Sequence, residues 1–267
     1  MKRSGGVRRT RSTGQTKPAP HPLDVLRRAA ETHHVRRIIV GTSCGKDSQV
    51  CLSLCIDRFG VENVAPFFMF TVEGLSFQDS YLSYIERRHA LPFPIIRIPH
   101  WCLSGLFRGH SFRHPTQQSA GVAKVTIRDA ERYAQLKVVE QRGQKWSADS
   151  PDIEGRPWFA TGEKAIDSVE RNAQIRHCDG INADRRRVYP LAYWNHAAVF
   201  NYLKTKGIAL PPDYAAGAVT SFGGLWNREL EPIRRNYPAD YAKIVKMFPL
   251  VEAQRVRAEM MGASREP

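Results

Sequence analysis

Long hydrophobic runs, paired cysteines and acidic residues near the start are scarce in this chain of 267 residues. No apolar stretch approaches the roughly 18 residues of a membrane helix, and no signal-peptide core is present, so a soluble, cytoplasmic protein without a membrane partner is expected. The five cysteines are odd in number and irregularly spaced, which argues for a reducing compartment over a disulfide framework. No C-x-x-C pair occurs, which removes the familiar structural zinc spacings. Acids are few: 26 Asp and Glu against 40 Lys and Arg give a net charge of +14. Six of the basic residues and none of the acids fall in residues 1–20, so the remainder carries +8. That first stretch, rich in Gly, Ser, Thr and Pro, reads as a disordered basic arm, either a nucleic-acid contact or a solubilising tail. The +8 of the rest keeps a nucleic acid (DNA or RNA) or another polyanion in view as a partner, and it also suits a site for a nucleotide alone.

What is present concentrates in residues 38–55, an apolar run Ile38-Ile39-Val40, a polar turn Ser43-Cys44-Gly45-Lys46-Asp47-Ser48, and an amphipathic stretch. The order strand, tight turn, helix is that of a phosphate cradle, because free N–H groups and the helix dipole favour an anion at a helix N-terminus. The Walker pattern G-x-x-x-x-G-K-[ST] is excluded by spacing: three residues separate Gly41 from Gly45, and Asp47 stands where the hydroxyl belongs.

Along the chain, helices are predicted over residues 22–32, 46–59, 79–90, 127–142 and 195–206, with a last one over 237–261. Strands are predicted over 37–41, 65–72, 94–98 and 156–161. This β-α alternation argues an α/β fold: a doubly wound, mostly parallel sheet with helices on both faces, a helical C-terminal extension and the basic arm. The organisation expected is the arm (1–20), a nucleotide-binding α/β domain (21–187) and a C-terminal segment packing on it (188–267). In such sheets ligands sit at the carboxyl ends of the strands, where the Ser43 turn falls. Residues 99–126 break the rhythm and read as an insertion or lid.

The turn Ser43-Cys44-Gly45-Lys46-Asp47-Ser48 resembles the S-G-G-K-D-S loop of the PP-loop ATP pyrophosphatases, also called adenine nucleotide alpha hydrolases, with Cys44 in place of the first glycine. Gly162-Glu163-Lys164-Ala165-Ile166-Asp167-Ser168-Val169-Glu170-Arg171 is similar to the G-x-R-x-x-E-S-x-x-R segment of the phosphoadenosine phosphosulfate reductase branch, with Lys164 for the arginine and Asp167 for the glutamate. Charge is kept there, but the bidentate fork is lost. The plainer reading of that segment is a helix start capped by its own acids, with Arg171 on a solvated face. The run Val188 to Trp194, then Val199 to Leu203, Gly207-Ile208 and Pro212-Asp213-Tyr214 matches the branch's P-L-x-x-W … V-x-x-Y-L … G-I-P … Y order. Thr71-Val72-Glu73-Gly74-Leu75-Ser76-Phe77 occupies the place of its D-T-G-x-x-F, with Phe70 where the aspartate belongs.

The resemblance implies a bound adenine nucleotide, ATP or phosphoadenosine phosphosulfate, with Mg²⁺. It implies Lys46 as pyrophosphate clamp, Ser43 and Ser48 as phosphate donors, and Cys44 and Gly45 in the loop. Asp47 would be a Mg²⁺ or water-shell ligand, Thr71 and Gly74 the base-reading turn, and Gly162, Lys164, Ser168 and Arg171 the opposing clamp. The reductase branch also needs a cysteine near the C-terminus, and this sequence has none after Cys178. Cys51 and Cys55 lie four apart on one helix face and read as core. Cys44 is either activated by the helix N-terminus or fills the glycine position. Cys102 and Cys178, beside His100 and His177, read as unremarkable loop cysteines or persulfide carriers. Three functions stay open: an ATP pyrophosphatase that adenylates a nucleic acid or nucleoside for a modification such as thiolation, a sulfonucleotide reductase or sulfotransferase-like enzyme, and a non-catalytic nucleotide- or DNA-binding accessory subunit. A homodimer or partner modification proteins would suit any of them.

Overall fold

A computed structural model describes residues 21–100, 120–149, 156–215 and 227–260. The expected basic arm, most of the 99–126 insertion and Cys102 lie outside the described residues. A six-stranded sheet organises the rest, in the order β3-β2-β1-β4-β6-β5. Its strands are β1 (Ile38–Thr42), β2 (Val64–Phe70), β3 (Ile96–Pro99), β4 (Trp158–Ala160), β5 (Ile181–Asn182) and β6 (Arg187–Val188). Every pairing is parallel except that of β5 with β6, so the α/β, mostly parallel architecture expected from the sequence is the one observed.

Side-chain alternation splits the central strands between two cores. Ile38, Val40, Val64 and Phe68 face a cluster filled by α1 (Pro22–Thr32), α2 (Lys46–Phe59), α3 (Ser76–Arg88) and α6 (His196–Lys206). Ile39, Ala65 and Phe67 face the other side, where Ala134, Val138 and Trp146 cover them from α4 (Ala120–Arg142) and the turn after it. Strands covered on both faces explain why residues 64–70 read as a continuous apolar run instead of an alternating one. Helix α5 (Val169–His177) follows β4, and α7 (Pro212–Ala215) follows α6.

The C-terminal part departs from the single helix expected over 237–261. It forms α8 (Asn227–Asn236), α9 (Pro238–Met247) and α10 (Leu250–Met260). The interruption falls at Phe248-Pro249, where proline supplies no amide hydrogen and disfavours the helical conformation at its predecessor. These helices form a core of their own: Leu230, Ile233, Tyr241, Ile244, Phe248 and Val251 close over Val72, Leu75 and Phe77 of the β2–α3 connection. The short β5–β6 hairpin was also missed, since two-residue strands carry too little alternation to be read.

Candidate functional site

Helix α2 begins at Lys46, and its cap residue Gly45 contributes no side-chain hydrogen bond. The first-turn N–H groups therefore point out of the carboxyl edge of β1 without a capping oxygen, the arrangement that favours an anion. The turn before it is locked internally. Ser48 Oγ donates to the Gly45 carbonyl (2.8 Å) and accepts from the Ser43 amide (3.1 Å), while Ser43 Oγ lies 3.3 Å from it. Gln49 Nε2 donates to Thr42 Oγ1 at 2.9 Å, tying the helix to the strand it follows.

Cys44 takes the left-handed conformation, φ 57°, a region that glycine enters freely and a residue with a Cβ enters at a cost of roughly 1–2 kcal/mol. Its side chain is buried in the sheet core, and burial pushes the thiol pKa well above the ordinary thiol range. Cys44 thus sits in the glycine position as a small buried group, and its burial disfavours the thiolate that the activated-thiol reading needs.

Gly162, after β4, lies against the start of α2. A Cβ built there would stand 2.7 Å from the Asp47 carbonyl carbon, 2.8 Å from its oxygen and 2.9 Å from the Ser48 nitrogen, all backbone atoms. Only glycine lets the β4 turn approach this closely, and the approach brings the two segments singled out in the sequence against each other. Lys164, 1% exposed, sends its ammonium to Asp47 Oδ1 (2.8 Å) and Asp167 Oδ1 (3.1 Å). Asp47 Oδ2 takes Lys46 Nζ at 3.1 Å, and Lys46 also lies over the Phe200 ring, 5.8 Å from its centroid. Asp167 Oδ2 accepts from the Lys164 amide at 2.9 Å. Arg171 closes the network at 3.4 Å from Asp167 and 3.5 Å from Glu163.

The sequence-derived residues thus come together in two sets. Ser43, Gly45, Lys46, Asp47, Ser48, Gly162, Lys164 and Arg171 are linked by contacts at the carboxyl edge of β1 and β4. Ser168 instead caps α5, its hydroxyl accepting from the Arg171 amide at 3.2 Å. Thr71 and Gly74 (φ 70°) belong to the β2–α3 turn, and the C-terminal helices hold that turn. Asp240 of α9, 2% exposed, accepts from the Ser76 amide (2.7 Å) and hydroxyl (2.6 Å). Lys243 bonds the Gly74 carbonyl and lies 3.1 Å from Asp240. Asp240 and Lys243 carry no local signal in the sequence, because each acts on a segment far away in the chain, and Phe200 falls in the Val199–Leu203 run without its place beside Lys46 being legible there.

Divalent metal fits poorly. Mg²⁺ demands near-octahedral oxygen ligands at about 2.0–2.1 Å, yet both Asp47 oxygens face ammonium groups. Among the described residues no group of three or more His, Cys, Asp or Glu could hold an ion. Of the cysteines, Cys51 and Cys55 are core residues, as their spacing suggested. Cys178 is half-buried, and burial raises its thiol pKa. His100, at the carboxyl end of β3, is pushed down to about 4 by burial. No helix among the described residues is long and apolar enough to cross a membrane.

Residues 37–244 match the family described as Phosphoadenosine phosphosulfate reductase domain. No curated protein matches the sequence. Solved structures that resemble it include U34-tRNA thiolase NcsA from Methanococcus maripaludis, at 13% identity and a TM-score of 0.43, covering 86% of this chain and 78% of that one. A second is the glutamine-dependent NAD+ synthetase from Acinetobacter baumannii in complex with adenosine diphosphate, at 17% identity and a TM-score of 0.44. That match covers 95% of this chain and 48% of the synthetase, so the chain spans about half its length.

Proposed function

The chain belongs to the phosphoadenosine phosphosulfate reductase domain family, and from that premise we propose an ATP-dependent enzyme that cleaves its nucleotide between the α and β phosphates and adenylates an acceptor. The observation that carries this reading is the uncapped N-terminus of α2, with Lys46 beside it and the Gly162 turn pressed against its first residues. Together they shape a cleft for a polyphosphate, with N–H donors on one wall and an ammonium at its mouth.

In this reading the β and γ phosphates sit on the first-turn N–H groups and Lys46 exchanges Asp47 for a phosphate oxygen. An acceptor oxygen attacks the α-phosphorus and loses its proton to solvent. The new P–O bond forms as the α–β bridging bond breaks, and pyrophosphate departs with the electron pair. Preorganised donors stabilise that departing charge, each worth about 3–4 kcal/mol in comparable sites. The product is an acceptor–AMP ester, in which a poor oxygen leaving group has become a good one, open to a sulfur or nitrogen nucleophile. The net charge of +14 supports a nucleic acid or nucleoside as acceptor, as in a thiolation.

The family's own description favours phosphoadenosine phosphosulfate as a second candidate ligand. Reduction by attack on its sulfur requires a thiolate. Cys44, Cys51 and Cys55 are buried, and Cys178 has its thiol pKa raised, so none of the described cysteines supplies one readily.

The test is incubation with α-labelled ATP, with and without Mg²⁺ and with DNA, RNA or nucleosides, beside Lys46→Ala. Release of AMP and pyrophosphate, reduced by about 100-fold or more in the variant, is the expected result. Tight ATP binding without turnover would leave a nucleotide-binding accessory subunit. Sulfite release from phosphoadenosine phosphosulfate with thioredoxin would establish the reductase instead.

A further inference from the structure

Asp47 of the first segment and Asp167 of the second converge on one point, and a side chain of the protein already occupies it. Lys164 Nζ sits there, 2.8 Å from Asp47 Oδ1 and 3.1 Å from Asp167 Oδ1, on a residue 1% exposed. Asp47 Oδ1 is buried and makes no aligned hydrogen bond, so the ion pair with Lys164 is what balances it. Burying an ammonium costs several kcal/mol unless opposite charge surrounds it, and here two carboxylates do.

We propose that Lys164 is a tethered cation: its ammonium takes the place between Asp47 and Asp167 that a protein-held divalent metal would need, and it fixes the second segment against the first. Three features support this. Asp47 has its other oxygen on Lys46, so in the nucleotide-free chain both oxygens of the carboxylate face ammonium groups and neither is open to a metal. Asp167 holds the Lys164 backbone amide as well as its ammonium, so the lysine is clamped at both ends of its own side chain. Lys46, by contrast, has a side chain 11% exposed at the cleft, placed to turn toward a ligand, whereas Lys164 is enclosed. The two lysines therefore divide the work assigned jointly to them from the sequence. Lys46 meets the phosphates, and Lys164 is a positioning residue acting through Asp47.

The functional consequence rests on reading the cleft as a nucleotide site, but the cation claim does not. Its test uses the nucleotide-free full chain and Mn²⁺ as probe, followed by the paramagnetic signal of the free ion. Wild type should bind no Mn²⁺ stoichiometrically in the micromolar range. Lys164→Ala should uncover two converging carboxylates and gain one site, tightened by about 10-fold or more because affinity follows ligand charge. Adding Asp167→Asn to that variant should abolish the site. Lys164→Met, which keeps the length of the stem, serves if the alanine variant does not fold, and circular dichroism monitors both.

A stoichiometric Mn²⁺ site in wild type that is lost in Asp47→Asn overturns the proposal. So does a folded Lys164 variant that takes up no Mn²⁺. ATP binding to wild type is then measured in EDTA and in Mg²⁺. Retained affinity in EDTA, within about threefold, extends the claim to the loaded site, and loss of binding only in EDTA refutes that extension. Failure of ATP to bind under either condition would count against the nucleotide reading alone, leaving the Mn²⁺ result to stand by itself.

Discussion

The two turns that flank the N-terminus of α2 are held by opposite kinds of force. On the β4 side, Gly162 to Arg171 is fastened by charge: Lys164 between Asp47 and Asp167, and Arg171 between Asp167 and Glu163. On the β2 side, Thr71 to Phe77 is fastened mainly by apolar packing, with Val72, Leu75 and Phe77 under the C-terminal helices and Asp240 and Lys243 as polar pins on Ser76 and Gly74. A charge network fixes directions through specific partners. An apolar clamp sets shape without specifying them. The arrangement therefore puts a charge-fastened wall where phosphates are proposed to bind and an apolar-fastened wall where the base would lie.

The largest effect should come from breaking the apolar clamp. Ile244 is fully buried in it, and Ile244→Ala should cost about 2–5 kcal/mol, read as a lowered urea midpoint. Amides of Ser76 and Phe77 should exchange faster in the variant while those of α2 stay protected. Equal loosening of both turns would show that the two walls form one cooperative unit.

Next in size is Gly162→Ala, which pushes a methyl into the backbone of Asp47 and Ser48. Overpacking of this kind costs about 1–3 kcal/mol, and here the strain falls on the cleft. ATP affinity should drop by about 10-fold or more, measured by calorimetry, with the melting temperature reduced less than in Ile244→Ala. Unchanged affinity would mean that the β4 turn is no part of the nucleotide site.

How much of this could be read from the chain follows the same division. The cradle helix was placed at 46–59 and is observed at Lys46–Phe59, because turn chemistry, a helix N-terminus and the end at Gly60 are local signals. Gly162, Lys164, Asp167 and Arg171 were legible as a group for the same reason: one short segment with fixed spacing. Asp240 and Lys243 were not, since an acid and a lysine three residues apart on a helix look like any solvated face. What gives them meaning is Ser76, 164 residues from Asp240, and Gly74, 169 residues from Lys243, distances that no periodicity spans. The lysine at 164 taught the converse. Its position was legible, but its partners were not, and the partners turn a phosphate ligand into a buried counter-ion.

The smallest expected effect sharpens the comparison most, because it removes the only carboxylate among the described groups that pins the apolar wall. Burial raises the Asp240 carboxyl, but hydrogen bonds from Ser76 and Lys243 more than offset it, and its pKa in the fold lies below the ordinary 3.8. A carboxyl depressed on folding stabilises the protein at pH values above its unfolded pKa, and that contribution fades as pH falls through the folded one. Asp240→Asn keeps the shape and the oxygen that accepts from Ser76, but it turns an amide –NH2, a donor, toward the Lys243 ammonium, so the ion pair is lost and the Ser76 bonds lose their charge assistance. The loss should be about 1 kcal/mol at neutral pH. Urea midpoints of wild type and variant should therefore differ at pH 7 and converge as pH drops below 3.8. A gap that persists at acid pH would mean that packing, not the carboxylate, fixes the Ser76 end of α3, and the β2 wall would then owe nothing measurable to the charge of Asp240.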